Sequence, residues 1–230
     1  MTGTSKRQGF TLIELTLVMG LMSILLLAVL FLALHAGKLY TKGITNKALN
    51  QATREVTDTM KRDFMASDAN ILQIPALTGI GNQKSGRICT GSVSYVWNTT
   101  PLLNNTIASK ITYKSRPVVF ARVIDDGASL CAVPLTATIP EGLTVTELLS
   151  TNGRDYAVYS LVATKVSSDS TGRGLYTVEA VIGTNEPGTT VVDPATGFQC
   201  LPPAANTANF EYCTVAGFTT LLRAGGRGEQ

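Results

Sequence analysis

Glu14 is the only formal charge in a run of 25 residues, Phe10 to Leu34, that is otherwise apolar or small and polar. On insertion scales a carboxylate near the centre of a membrane helix costs on the order of 2.5 to 3.5 kcal/mol, and less toward an end, so it calls for a cationic partner. A second chemistry is carried by four cysteines, Cys89, Cys131, Cys200 and Cys213, all beyond the apolar run. An even number there points to disulfides and an oxidising compartment. Three pairings are open, and Cys200 with Cys213 and Cys89 with Cys131 close the shorter loops.

Most other chemistry is excluded by what the chain lacks. His35 is the only histidine, so neither a Ser-His-Asp nor a Cys-His arrangement has a base in the later part, and typical zinc sites lack ligands. Gly79 and Gly81 in "TGIGNQ" lack the rest of a dinucleotide fingerprint, and no G-x-x-x-x-G-K-S/T occurs. Asp125 and Asp126 before Gly127 read as a turn rather than a calcium loop. Asn98 and Asn104 each begin an N-x-T triplet, a weak glycosylation signal on a Thr/Asn-rich chain. No catalytic residue, metal or cofactor is expected.

The element that must carry Glu14 is a helix. Twenty-five residues at ~1.5 Å each reach roughly 37 Å, enough for a hydrocarbon core of about 30 Å. Lys6 and Arg7 precede it, which keeps the short N-terminus cytoplasmic and exports the chain beyond Gly37, although Lys38 and Lys42 weigh slightly against this. The stretch is too long for the apolar part of a cleavable signal peptide. Charge is otherwise close to balanced, 19 Lys and Arg against 16 Asp and Glu, so no general basic surface argues for nucleic acid, which stays an open partner.

Helical periodicity continues past the apolar run. Ile44, Ala48, Leu49, Ala52, Val56, Met60 and Phe64 fall on one face, and Lys47, Arg54 and Lys61 repeat on the other, with Asp58 spaced to meet Arg54 and Arg62. Gly20, Gly37 and Gly43 are places where the helix could loosen. A helix of this length needs a sheet to cover its outer stripe. Strand patterns occur at 92–98, 110–114, 118–124, 156–166, 174–182 and 215–222; 167–173 reads as a hairpin turn and 71–91 as a loop. The expected class is α+β, a long N-terminal helix packed on an antiparallel sheet, with a Cys200–Cys213 bridge tying the Gly/Pro/Thr-rich 183–203 to the last strand.

The stretch "KRQGFTLIEL", a short basic leader ending in Gly9, then Phe10, Thr-Leu-Ile-Glu-Leu and an unbroken apolar helix, resembles the processing site of type IV pilins and type II secretion pseudopilins. The resemblance covers about the first sixty residues. It implies a pilin-like fold with a leader at 1–9, the transmembrane part of the helix at 10–36, its amphipathic part at 37–69 and a β-rich head at 70–230. It implies cleavage between Gly9 and Phe10 by a prepilin peptidase, N-methylation of Phe10, and pairing of Glu14 with the new amine of a neighbouring subunit. The function implied is that of a structural subunit, a minor pilin by head size and C-terminal cysteine pair, with a pseudopilin as the alternative and a membrane-tethered binding protein as a more distant one. The implied partners are other pilin subunits in a helical filament, the peptidase and methyltransferase, the assembly platform and its ATPase, and the cytoplasmic membrane before assembly. The filament would then stand at the cell surface or in the periplasm.

Overall fold

A computed structural model describes residues 11–105, 110–132, 138–151, 154–185, 190–193, 197–200 and 212–225. Helix α1, Leu12–Ala66, runs unbroken for 55 residues. Thr11 caps it, its Oγ1 accepting from the Glu14 N–H at 3.3 Å. Thr16, Ser23 and Thr41 donate their hydroxyls to the carbonyls of Ile13, Met19 and Gly37, so these polar groups are satisfied inside the helix. Gly20, Gly37 and Gly43 produce no break. The helix ends at Ala66, three residues before the expected Ala69, because the hydroxyl and N–H of Ser67 both turn back to the Phe64 carbonyl.

The head follows in the order β1 (Thr78–Ile80), β2 (Gln83–Cys89), β3 (Val93–Asn98), α2 (Thr100–Leu103), β4 (Thr112–Tyr113), β5 (Arg116–Pro117), β6 (Phe120–Ile124), α3 (Ser129–Ala132), β7 (Thr144–Glu147), β8 (Ser150–Thr151), β9 (Arg154–Ser168), β10 (Gly174–Thr184), β11 (Thr190–Asp193), β12 (Gly197–Cys200) and β13 (Val215–Ala224). They form a five-stranded sheet, β1-β2-β3-β6-β7, a four-stranded sheet, β13-β10-β9-β8, and two ribbons, β4-β5 and β11-β12. All named strand pairs are antiparallel. The fold is therefore α+β, a long helix on antiparallel sheets, as its periodicities predict, with the strands divided between two main sheets.

One core joins the helix to both sheets. Leu49, Ala52, Val56, Met60 and Phe64 pack with Ile88, Tyr95, Trp97 and Phe120 of the first sheet and with Val158, Leu161, Tyr176, Val178, Ile182 and Leu222 of the second. Thr45 is buried in this stripe while Ile44 stays 42 % exposed, so the buried face is turned by one residue at its lower end from the expected one. Phe64 meets Tyr176 edge to face at 5.8 Å. Lys47, Arg54, Asp58, Lys61 and Arg62 lie on the exposed face; Asp58 makes no ion pair with either arginine, and Arg62 donates to Thr59 Oγ1.

A second cluster, Val96, Ile111, Val118, Ala121, Val123, Leu130 and Ile139 among others, covers the opposite face of the five-stranded sheet. This explains why 71–91, a loop by its composition, contains β1 and β2. β2 reads QKSGRIC without alternation because both of its faces are covered. Asn98 sits fully buried between the layers, donating to the carbonyls of Ile111 and Val118 and accepting from the Ile111 N–H, which rules it out as a glycosylation acceptor. The Gly/Thr-rich 183–203 likewise carries the β11-β12 ribbon.

β13 runs alongside α1. Thr214 Oγ1 donates to Asn46 Oδ1 near one end, and the Gly225 N–H donates to the Ser67 carbonyl at the other. Twenty-one helical residues rise about 32 Å and eleven strand residues about 36 Å, so the two elements climb together away from the apolar half.

Candidate functional site

The apolar half of α1 is bare. Leu12, Ile13, Leu17, Ile24, Leu26, Leu27, Phe31 and Leu32 are each more than 60 % exposed, and no part of the most apolar stretch is buried by the head. Among the described residues, α1 is the helix long and apolar enough to cross a membrane. Exposed aliphatic surface on this scale is stable only against lipid or against other apolar helices.

Glu14 lies on this bare surface, at the third position of the helix. There the "TLIE" spacing makes half of a capping box and the helix dipole favours a negative group. The T-x-x-E pattern is legible in the sequence and is a second reason for a carboxylate at this position. Among the described residues its carboxylate has no partner. Gly9 and Phe10, the expected cleavage and methylation positions, lie outside the described residues. The geometry offers an anchor with a carboxylate near its start that has no partner among the described residues.

The family described as the prokaryotic N-terminal methylation motif matches residues 4–30. The chain carries a prepilin-type N-terminus. The match takes in Gly9, Phe10 and Glu14 and most of the bare apolar half of α1, and it supports a type IV pilin or pseudopilin-like role for the chain. The prepilin motif implies processing by a prepilin peptidase and assembly with other pilins, and with the apolar helix it fits a membrane-anchored, structural protein. No curated protein and no solved structure matches the chain.

Above the apolar half, side chains tie α1 to the head at two levels. At the lower one Lys42 donates its ammonium to the Cys213 carbonyl, beside the Asn46 contact with Thr214. Burial pushes the Lys42 ammonium down from its ordinary value. Cys213 is bridged to Cys200 of β12, with Cα atoms 5.9 Å apart, so the second ribbon is held against the base of the head. At the upper level Arg122 of β6 holds Asp63 of α1, and the Tyr95 hydroxyl donates to Asp63 Oδ2 at 2.5 Å. Burial first, and then the Asp63 carboxylate, push the Tyr95 phenol well above its usual range, so it stays a donor.

The remaining bridge, Cys89–Cys131, joins the end of β2 to α3 with Cα atoms 6.2 Å apart. Beside it, Asp125 serves as a hub. Its carboxylate accepts from the Ser94 and Ser129 hydroxyls and from the N–H groups of Ser129 and Leu130. Burial pushes this carboxyl up, but the donors together outweigh it and hold it below the usual carboxylate range. These donors occupy both oxygens, so the Asp125–Gly127 turn is structural. The His35 ring lies 5.1 Å from that of Phe31, tilted by 34°, near the end of the apolar half and away from the head.

Proposed function

We propose that the chain is a structural subunit of a type IV pilus, a minor pilin that a prepilin peptidase cuts between Gly9 and Phe10. The observation that carries the reading is the methylation motif at 4–30 leading directly into a helix whose apolar half the head leaves uncovered. In this reading cleavage creates an amine four residues before Glu14, methylated on Phe10, and that amine pairs with the carboxylate of a neighbouring subunit inside a dry helical bundle. A charge pair there is strongly favoured over an unpaired carboxylate, which makes Glu14 a register device. Residues 10–36 act first as a cytoplasmic-membrane anchor with the head exported, and then as the filament's packing surface. The head, 70–230, is carried outward. The work is assembly, driven by the ATPase and platform of the pilus machinery.

Intact-mass measurement of the chain from cells with active prepilin peptidase tests the processing. The expected species starts at Phe10 and carries one added methyl; a chain that keeps Met1 to Gly9 overturns the reading. Isolation of surface filaments then decides between pilus and secretion pseudopilus, the trace presence of this chain in long filaments being the expected result.

A further inference from the structure

No spacer separates the apolar half of α1 from the head. With Glu14 at the inner boundary of a hydrocarbon core of about 30 Å, a rise of ~1.5 Å per residue brings the outer boundary to Leu34. The helix continues past it without a break. Lys38 then stands about 6 Å above Leu34, Tyr40 about 9 Å and Lys42 about 12 Å. Lys42 is already tied to the head through the Cys213 carbonyl, and Asn46, one turn higher, holds Thr214. The headgroup layer is itself about 5 to 7 Å deep on each side of the core. The base of the head therefore stands within the length of a side chain from it.

What this base presents suits such a layer. Of the seven tyrosines, Tyr95, Tyr156, Tyr159 and Tyr176 are buried and Tyr113 is half-buried. The two exposed ones are both here: Tyr40, 72 % exposed, and Tyr212, 48 % exposed, which immediately precedes Cys213. Lys38 and Leu39 are exposed beside Tyr40. A tyrosine ring combines an apolar body with a polar hydroxyl and concentrates at headgroup level, and a lysine there meets lipid phosphates.

We propose that the base of the head is a lipid-contact surface: before assembly, Lys38, Tyr40 and Tyr212 lie in the phospholipid headgroups of the leaflet from which α1 emerges. This contact rests on the anchored orientation proposed above. The head is carried on one face of α1, by Thr45, Leu49, Ala52 and Val56. Phe10 to Leu34 reach roughly 37 Å, more than the core needs, and drawing the surplus into the membrane tilts the helix. A tilt toward the face that carries the head brings Tyr212 down onto the headgroups. The ties from Lys42 and Asn46 make the head follow the helix. The membrane thus holds the subunit by its head as well as by its anchor, and entry into a filament must peel both tyrosines from lipid.

The test reconstitutes the full chain in vesicles of phosphatidylethanolamine and phosphatidylglycerol, carrying Tyr40→Trp, Tyr212→Trp or Ser170→Trp. The native Trp97 is buried in the head and supplies the same baseline in all three. The expected result is loss of the added emission at positions 40 and 212 when the lipids carry a nitroxide on the headgroup, and little loss when bromines sit halfway down the acyl chains. Ser170 is exposed on the hairpin turn whose Gly172 carbonyl accepts from the Ala69 N–H beyond the top of α1, so its variant keeps its emission with both lipids. A chain that stays in the vesicles through an alkaline wash, yet keeps its emission at 212 with the headgroup nitroxide, overturns the lipid contact alone. Equal quenching at 170 and 212 does the same. A chain that washes off overturns the anchored reading beneath it.

Discussion

Arg122 grips Asp63 through two parallel bonds, Nε to Oδ2 at 2.7 Å and Nη2 to Oδ1 at 3.0 Å, and so ties the middle of one sheet to the last turns of the long helix. The side chains are 26 % and 15 % exposed, and Tyr95 completes the carboxylate's shell. A forked pair of this kind fixes both rotation and height of the helix against the sheet.

Cutting this pair from one side should hurt more than removing it whole. Asp63→Ala leaves Arg122 and the buried Tyr95 hydroxyl without their acceptor, and should cost about 2 kcal/mol after allowance for partial exposure. The double change Asp63→Leu, Arg122→Met should recover part of that loss. Denaturant unfolding of the detergent-solubilised chain measures both; equal loss in the two would remove the role given to the pair.

Acid should loosen the β3–α3 corner. The folded Asp125 carboxyl lies below its ordinary range, so its stabilisation is present above the unfolded value and is lost as pH falls through the folded one. Glu147, pushed up mainly by burial against the opposing N–H groups of Val119 and Phe120, has the opposite sign and favours the fold at the acid end of its range. Melting temperature followed from neutral to acid pH should therefore fall less steeply in Asp125→Asn than in the parent, from a lower starting value, and should fall more steeply in Glu147→Gln. Parallel curves in all three would count against both assignments.

Gly86 should tolerate no side chain. A Cβ built there lies 2.2 Å from the Trp97 ring and 2.6 Å from Leu77, and both neighbours are held in the core or against it. Gly86→Ala should cost about 1 to 3 kcal/mol by overpacking. Trp97→Leu should relieve part of this cost in the double variant, which a thermodynamic cycle on the two changes would reveal.

Glu14→Ala separates insertion from assembly. Removing a carboxylate from the apolar half should leave membrane insertion unchanged or improved, while incorporation into filaments falls. Fractionation of membranes and sheared filaments from the same cells provides the two readouts. Unchanged incorporation would remove the assembly role proposed for Glu14 and leave its part in the capping box.

Legibility followed periodicity. The outer half of α1 and the strands β10 and β13 show in the sequence because each has one covered face, so their apolar residues repeat at the helical or strand period, while β3, β6 and β9 show as runs rich in β-branched and aromatic residues even where both faces are covered. β2 was hidden because Ser85, Gly86 and Arg87 are buried on two sides, and the Arg87 guanidinium is accommodated by donating to the Leu130 carbonyl, a partner 43 residues away. The bottom of the buried stripe moved from Ile44 to Thr45 because Lys42 and Asn46 are taken up by Cys213 and Thr214.

By itself the sequence determined the anchor, the carboxylate within it, the α+β class and the prepilin-type start, since each is written in consecutive residues whose spacing or chemistry is local. Only the tertiary structure decided that Asp63 meets Arg122, that the second bridge sits beside Lys42 at the base of the head, and that β13 climbs with α1. Those facts depend on which distant segments meet and in which direction they run. Direction and pairing are set by the joint burial of a two-faced sheet beneath one helix, a condition that no stretch of the chain carries alone.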